Sequence, residues 1–154
     1  MIMAVDLGLR FGTALYDADG RLVRYGSQHI ATRGKLKRAV YGILRQIEGL
    51  ELLVLEGDRA LAEIWARVAE RQGVEVIVTS AEVWREVLLI PRERRSGAQA
   101  KASADTLARE IIERSGAPRP TALRHDAAEA IAIGWWAVQQ RASAAGGLDG
   151  DGGA

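Results

Sequence analysis

The chain has 154 residues, enough for one domain with a sizeable core, and 48% of them are hydrophobic, which excludes a disordered chain. It contains no cysteine, which removes disulfides, thiolate zinc sites and cysteine nucleophiles together. The formal net charge is only +1, so any nucleic-acid binding must rest on local clusters: Lys35, Lys37 and Arg38 early, Arg85, Arg92, Arg94, Arg95 and Lys101 later. No apolar run is long enough to cross a bilayer and no basic leader precedes the first strand, so a cytoplasmic protein is expected.

Taken in order, residues 1–6 and 12–17 read as two strands joined by a turn that Gly8 relieves. Asp17-Ala18-Asp19-Gly20 is a turn signal, and residues 21–30 read as a third strand in an antiparallel meander. Thr32 suits an N-cap, and Leu36, Val40, Ile43, Leu44 and Ile47 repeat at helical spacing over 35–47. Leu52 to Glu56 lacks polar alternation, which predicts a strand buried on both faces. Asp58 starts a helix with the stripe Leu61, Ile64, Trp65, Val68 and Ala69, and Gly73 ends it. Val74 to Thr79 reads as a further buried strand, parallel to the preceding one because a helix crosses between them.

Ser80 caps a short helix through Leu89 that carries Trp84 as a core residue. Residues 91–100 lack periodicity and read as a mobile basic loop. A helix from about 99 to 115 is broken by Gly116-Ala117-Pro118-Arg119-Pro120, and a last helix runs from about 121 to 141. Trp135 and Trp136 cannot both face a sheet, so one should be partly exposed; a dimer interface is one explanation. Residues 143–154 are small and Gly-rich, which predicts a disordered tail after a folded domain of residues 1–142. The expected architecture is α/β, a mixed five-stranded sheet flanked by helices.

Acidic residues fall at telling places. Asp6 ends the first strand, Glu56 ends the fourth, and Asp126 and Glu129 share one face of the last helix. A lone strand-end aspartate most often caps its own turn. Four such acids meeting at one spot would repel one another unless cations were bound, and an all-oxygen set suits Mg²⁺, with Mn²⁺ as a substitute.

These motifs resemble a known group. Ala4-Val5-Asp6-Leu7-Gly8-Leu9-Arg10-Phe11-Gly12, Leu53-Val54-Leu55-Glu56 and Asp126-Ala127-Ala128-Glu129-Ala130-Ile131 are similar, in order and spacing, to the acidic motifs of RuvC-type Holliday junction resolvases. Thr79-Ser80 through Val83-Trp84-Arg85, the basic loop and Lys101 resemble the subgroup that includes chloroplast and phage-like resolvases. Glu129 stands where that group commonly has aspartate. The resemblance covers roughly residues 1–140 and implies a ribonuclease H-like fold. It also implies a Mg²⁺-dependent endodeoxyribonuclease that resolves four-way junctions as a homodimer, through paired symmetric nicks.

The same resemblance implies two ions about 4 Å apart for in-line phosphodiester hydrolysis. Asp6 would bridge them, Glu56 would hold the ion nearer the leaving group, and Asp126 with Glu129 the ion that activates water. Lys101 would stabilise developing phosphorane charge, and a solvated lysine is as good a reading. His125, placed on a different helical face from Asp126, would touch phosphate or assist proton transfer. Arg10, Arg85, Arg92, Arg94, Arg95 and Lys101 would contact DNA. The stripe Leu61, Trp65 and Val68 is a candidate dimer interface, although a monomer core explains it equally.

Other readings differ in class. YqgF-type RNA-processing nucleases have a similar Asp-x-Gly-x-Arg opening, but Glu56-Gly57 supplies an acid where a Gly-rich loop would be expected. An actin-like sugar kinase would need two such domains, and this chain has room for one. A ribonuclease H-like module without catalysis would keep the fold and bind nucleic acid only.

Overall fold

Five strands, β1 (Ile2–Asp6), β2 (Arg10–Tyr16), β3 (Leu22–His29), β4 (Leu52–Glu56) and β5 (Glu75–Thr79), form one sheet in the order β3-β2-β1-β4-β5. The computed structural model describes residues 1–147; residues 148–154, within the tail expected to be disordered, lie outside the described residues. β1, β2 and β3 pair antiparallel, whereas β4 lies parallel to β1 and β5 parallel to β4. Short turns make the first pattern and helical crossovers the second, so the expected mixed sheet is present.

β1 and β4 are apolar up to their final carboxylates because helices cover both faces. Met3, Val5, Leu53 and Leu55 point toward α1 (Arg33–Arg45) and α2 (Arg59–Arg71). Ile2, Ala4, Leu52 and Val54 point toward α3 (Ala81–Leu88), α4 (Gly97–Ser115) and α5 (His125–Gly146). α1 and α2 start from the caps the sequence offers: Thr32 Oγ1 accepts from the Lys35 N–H, and Asp58 Oδ1 from the Leu61 N–H at 2.9 Å.

Two glycines set how closely α5 lies on the sheet. A Cβ at Gly12 would fall 1.9 Å from the backbone oxygen of Asp126, and one at Gly134 would fall 2.4 Å from the Tyr16 ring. Tyr16 then reaches across this seam, its hydroxyl donating to the Ile131 carbonyl at 2.6 Å. Gly12 also pairs with Asp6 across β1 and β2. The same glycine therefore brings the N-terminal turn of α5 against the end of β1.

Several expectations change. β5 is an edge strand rather than a buried one, with Val78 61% exposed, because no strand among the described residues lies beyond it. Residues 91–100 are tied down instead of looping freely. Pro91–Arg94 forms a 3₁₀ turn, Glu93 accepts from the Ile90 N–H, Arg94 Nε donates to the Leu89 carbonyl, and α4 already begins at Gly97. The α2 stripe is intramolecular core: Leu61, Trp65 and Val68 are buried, and Phe11 meets Trp65 edge-on at 5.2 Å. Trp136 is buried, while Trp135 is half-buried beneath the Arg114 guanidinium at 4.6 Å, so its exposure needs no second subunit. α5 starts at His125, after the prolines, and continues through the helix-favouring Ala142, Ala144 and Ala145 to Gly146, past the expected boundary at 142.

Candidate active site

β1 and β4 run side by side in register, so their final residues, Asp6 and Glu56, are direct neighbours at one end of the sheet. Neither takes part in an ion pair among the described residues. Their carboxyl groups act on each other directly, and a proton shared between them relieves the repulsion. Asp6 is the group that holds it. Burial first, then the charges of Glu56 and Glu129, the hydrogen bond with Glu56 and the charge of Asp126 push its pKa up to about 8. Burial also raises Glu56, and Glu129 adds to the rise. The Asp6 proton, Arg85 and the Ala81 N–H oppose it.

α5 supplies the other two acids. Asp126 is held from two sides: Ser27 Oγ donates to its Oδ2 at 2.6 Å, and the Ala127 N–H donates to its Oδ1 at 2.8 Å. Ser27 stands opposite Gly12 in the β2–β3 ladder, which is why a strand two removed from β1 reaches this position. Glu129 is buried, only 3% exposed, and its Oε1 accepts from Arg85 Nη2 at 3.0 Å, with His125 Nε2 at 3.3 Å. The fold thus sets the other three expected acids, Glu56, Asp126 and Glu129, near Asp6. As their side chains stand, no group of three or more His, Asp or Glu among the described residues converges tightly enough to hold one ion. Ser27 and Arg85 restrain two of the four.

The basic residues divide. Arg85, expected at DNA, pairs with Glu129 in this structure and lies 5.2 Å over the Trp84 ring. Its Nε is buried without a partner, as is the hydroxyl of Thr79, the β5 residue aligned with Glu56. These orphaned groups leave the site's polar valences incompletely satisfied. His125 shares a face with Glu129, because the spacing that matters is i to i+4 and not its separation from Asp126. Arg10, Arg124, His125 and Asp126 line an open hollow at the mouth. Arg85, Arg94 and Arg95 line a second hollow with Glu82 and Glu86. Arg92 and Lys101 are exposed, and neither takes part in a hydrogen bond or ion pair with the acids. Ser27, Arg124 and Gly12 were not singled out from the sequence. The only signal for Arg124 is a cation directly before His125-Asp126, and for Ser27 there is none without the strand pairing.

Arg85→Gln is expected to destabilise the protein by about 2–3 kcal/mol, because it leaves Glu129 as a buried, uncompensated charge. Adding Glu129→Gln should restore most of that loss, and chemical denaturation of the two single variants and the double variant measures the coupling.

No family model matches the sequence, and no curated protein does. Solved structures do match. The Fowlpox virus Holliday junction resolvase is similar with a TM-score of 0.68 at 15% identity, over 91% of this chain and 98% of the viral one. The Fowlpox virus resolvase in complex with its substrate Holliday junction DNA is similar with a TM-score of 0.57, again at 15% identity, over 91% and 99% of the two chains. The likeness at that identity is one of fold, and it spans nearly the whole of both molecules. The chain has the ribonuclease H-like fold on which that viral resolvase is built.

Proposed function

We propose that this protein is a metal-dependent endonuclease that resolves four-way DNA junctions by paired nicks, acting as a homodimer. The observation that carries this reading is the forced adjacency of Asp6 and Glu56, with Asp126 and Glu129 close enough to raise the Asp6 pKa further. Four carboxylates kept together at such electrostatic cost are retained for a ligand and not for stability. The donor set is all oxygen, which suits Mg²⁺ or Mn²⁺. When bound, such an ion polarises phosphoryl oxygens and makes hydroxide available near neutral pH.

The chain's own residues supply the rest. Asp6 and Glu56 form the centre of the ligand set, and loss of the proton they share frees both for a cation. Ser27 holds Asp126 in place, and Arg85 keeps Glu129 compensated in the absence of an ion. As a ligand, Glu129 would give up its pair with Arg85, whose guanidinium would then be free to meet a phosphate. Arg10 and Arg124 flank the mouth, where backbone phosphates would be positioned without reading sequence. A symmetric junction needs two nicks on strands of like polarity, and two copies related by a two-fold provide them.

The test sets labelled four-way junction, flap, duplex DNA and RNA–DNA hybrid side by side in Mg²⁺ and in chelator. Paired symmetric nicks on the junction, absent in chelator, are expected. Cleavage of the hybrid alone would select an RNA-processing nuclease. Binding without cleavage in any metal would select the non-catalytic module.

A further inference from the structure

On the outer surface of the α1–α2 layer lies a groove of about 620 Å³ that the acidic site does not use. Lys37, Arg38 and Arg45 enter it from α1 and Arg71 from α2, with Tyr41 and Gln72 between them, and no carboxylate among the described residues lines it. All four cations are exposed, and none takes part in an ion pair among the described residues. Like charges gathered without counter-charge are unfavourable unless an anion or water compensates them. Two details point to an anion. Gln72 lines the groove, and its side-chain nitrogen, buried, has no acceptor among the described residues. The Arg45 guanidinium is already oriented, donating to the Tyr41 hydroxyl and lying 5.7 Å from its ring. Gly34 also lines the groove, where an added Cβ would meet nothing nearer than the Thr32 hydroxyl at 3.9 Å.

Direction matters too. Ile30, just before α1, donates its N–H to the Leu9 carbonyl in the loop after Asp6. α1 therefore begins at the acidic end of the sheet and runs away from it. From residue 34 to residue 45 it covers about 16 Å, close to half a turn of duplex DNA.

We propose that this groove is a second DNA contact, holding the phosphate backbone of a duplex arm that leaves the acidic site along α1. The proposal rests on the junction-nuclease reading for the identity of that duplex. The contact is electrostatic and blind to sequence.

Fluorescence anisotropy tests it, with labelled linear duplexes and with four-way junctions whose arms grow from about half a helical turn to about two turns. Wild-type affinity should rise with arm length. Lys37→Ala, Arg38→Ala and Arg71→Ala combined should remove that rise, by about tenfold or more on the longest arms near 0.1 M salt. The log–log salt slope should also fall by about 2–3. Arg38→Lys with Arg71→Lys keeps the charge and should keep the slope, which separates charge from damage to the fold. An unchanged slope in the triple variant would overturn the proposal, and so would equal loss on every arm length. A changed oligomeric state with unchanged DNA affinity would assign the groove to a second copy and overturn it as well. If the wild type cuts no junction yet binds long duplexes through these residues, the nuclease reading fails while the groove stands.

Discussion

Asp6→Asn is expected to abolish junction nicking while making the metal-free protein more stable. Both effects have one source. Asp6 sits where burial and three neighbouring carboxylates disfavour its charge, so its pKa moves from 3.8 to about 8. The folded protein therefore binds more protons than the unfolded chain between those two values. The stability this proton contributes is complete below about pH 4 and is lost as pH rises through about 8. Metal-free wild type should accordingly melt at progressively lower temperature from pH 5 to pH 8. The asparagine variant carries no charge to repel and should lack that dependence on Asp6. At pH 8 its melting temperature should exceed the wild type's by about 4–8 °C, corresponding to about 2 kcal/mol for a chain of this size. Nicking should fall by at least about 10²–10³-fold, because the proposed metal ligand at the centre of the site is gone. Calorimetry across pH and a junction-cleavage assay read the two halves independently. A variant that is both less stable and fully active would assign Asp6 to structure alone.

Gly12→Ala should be the most damaging single methyl group in the molecule. Its Cβ would lie 1.9 Å from the Asp126 oxygen, 2.1 Å from the Asp126 carbonyl carbon and 2.6 Å from the Ala127 nitrogen. All three are backbone atoms, so no rotamer change relieves the clash. α5 must move off the sheet, taking with it the packing of Ala128, Ile131 and Ala132 and the Tyr16–Ile131 hydrogen bond. A loss of about 3 kcal/mol or more is expected, at the upper end of overpacking changes. Any folded fraction should nick poorly, because Asp126 and Glu129 ride on the displaced helix. Denaturant unfolding followed by circular dichroism measures the first effect. Unaltered stability would mean that α5 is free to slide over β2.

The fold was legible where one physical cause acts alone. Uninterrupted apolar runs at 2–5 and 52–55 require cover on both faces, and the structure places helices on both. Thr32, Asp58 and Ser80 announced their helices because a side-chain oxygen ahead of an amphipathic run has a single local use. Asp6 and Glu56 were legible as a pair because each ends such a run. What stayed hidden depends on partners distant in sequence. Arg85 reads as a surface cation until α3 sets it against Glu129, 44 residues away. Ser27 lies 99 residues from Asp126, and only the β2–β3 register joins them. The basic stretch after Pro91 has no periodicity, yet Glu93 and Arg94 fasten it through single hydrogen bonds that leave no periodic trace. β5 looks like a central strand because its edge position is set by topology and not by composition.

Divalent-ion seating at the strand ends is tested most directly by crystals grown with Mn²⁺ and measured at the manganese absorption edge. The account predicts anomalous density between Asp6 and Glu56, with Glu129 turned from Arg85 toward the ion. Manganese bound elsewhere, with Asp6 and Glu56 still sharing their proton, would contradict it.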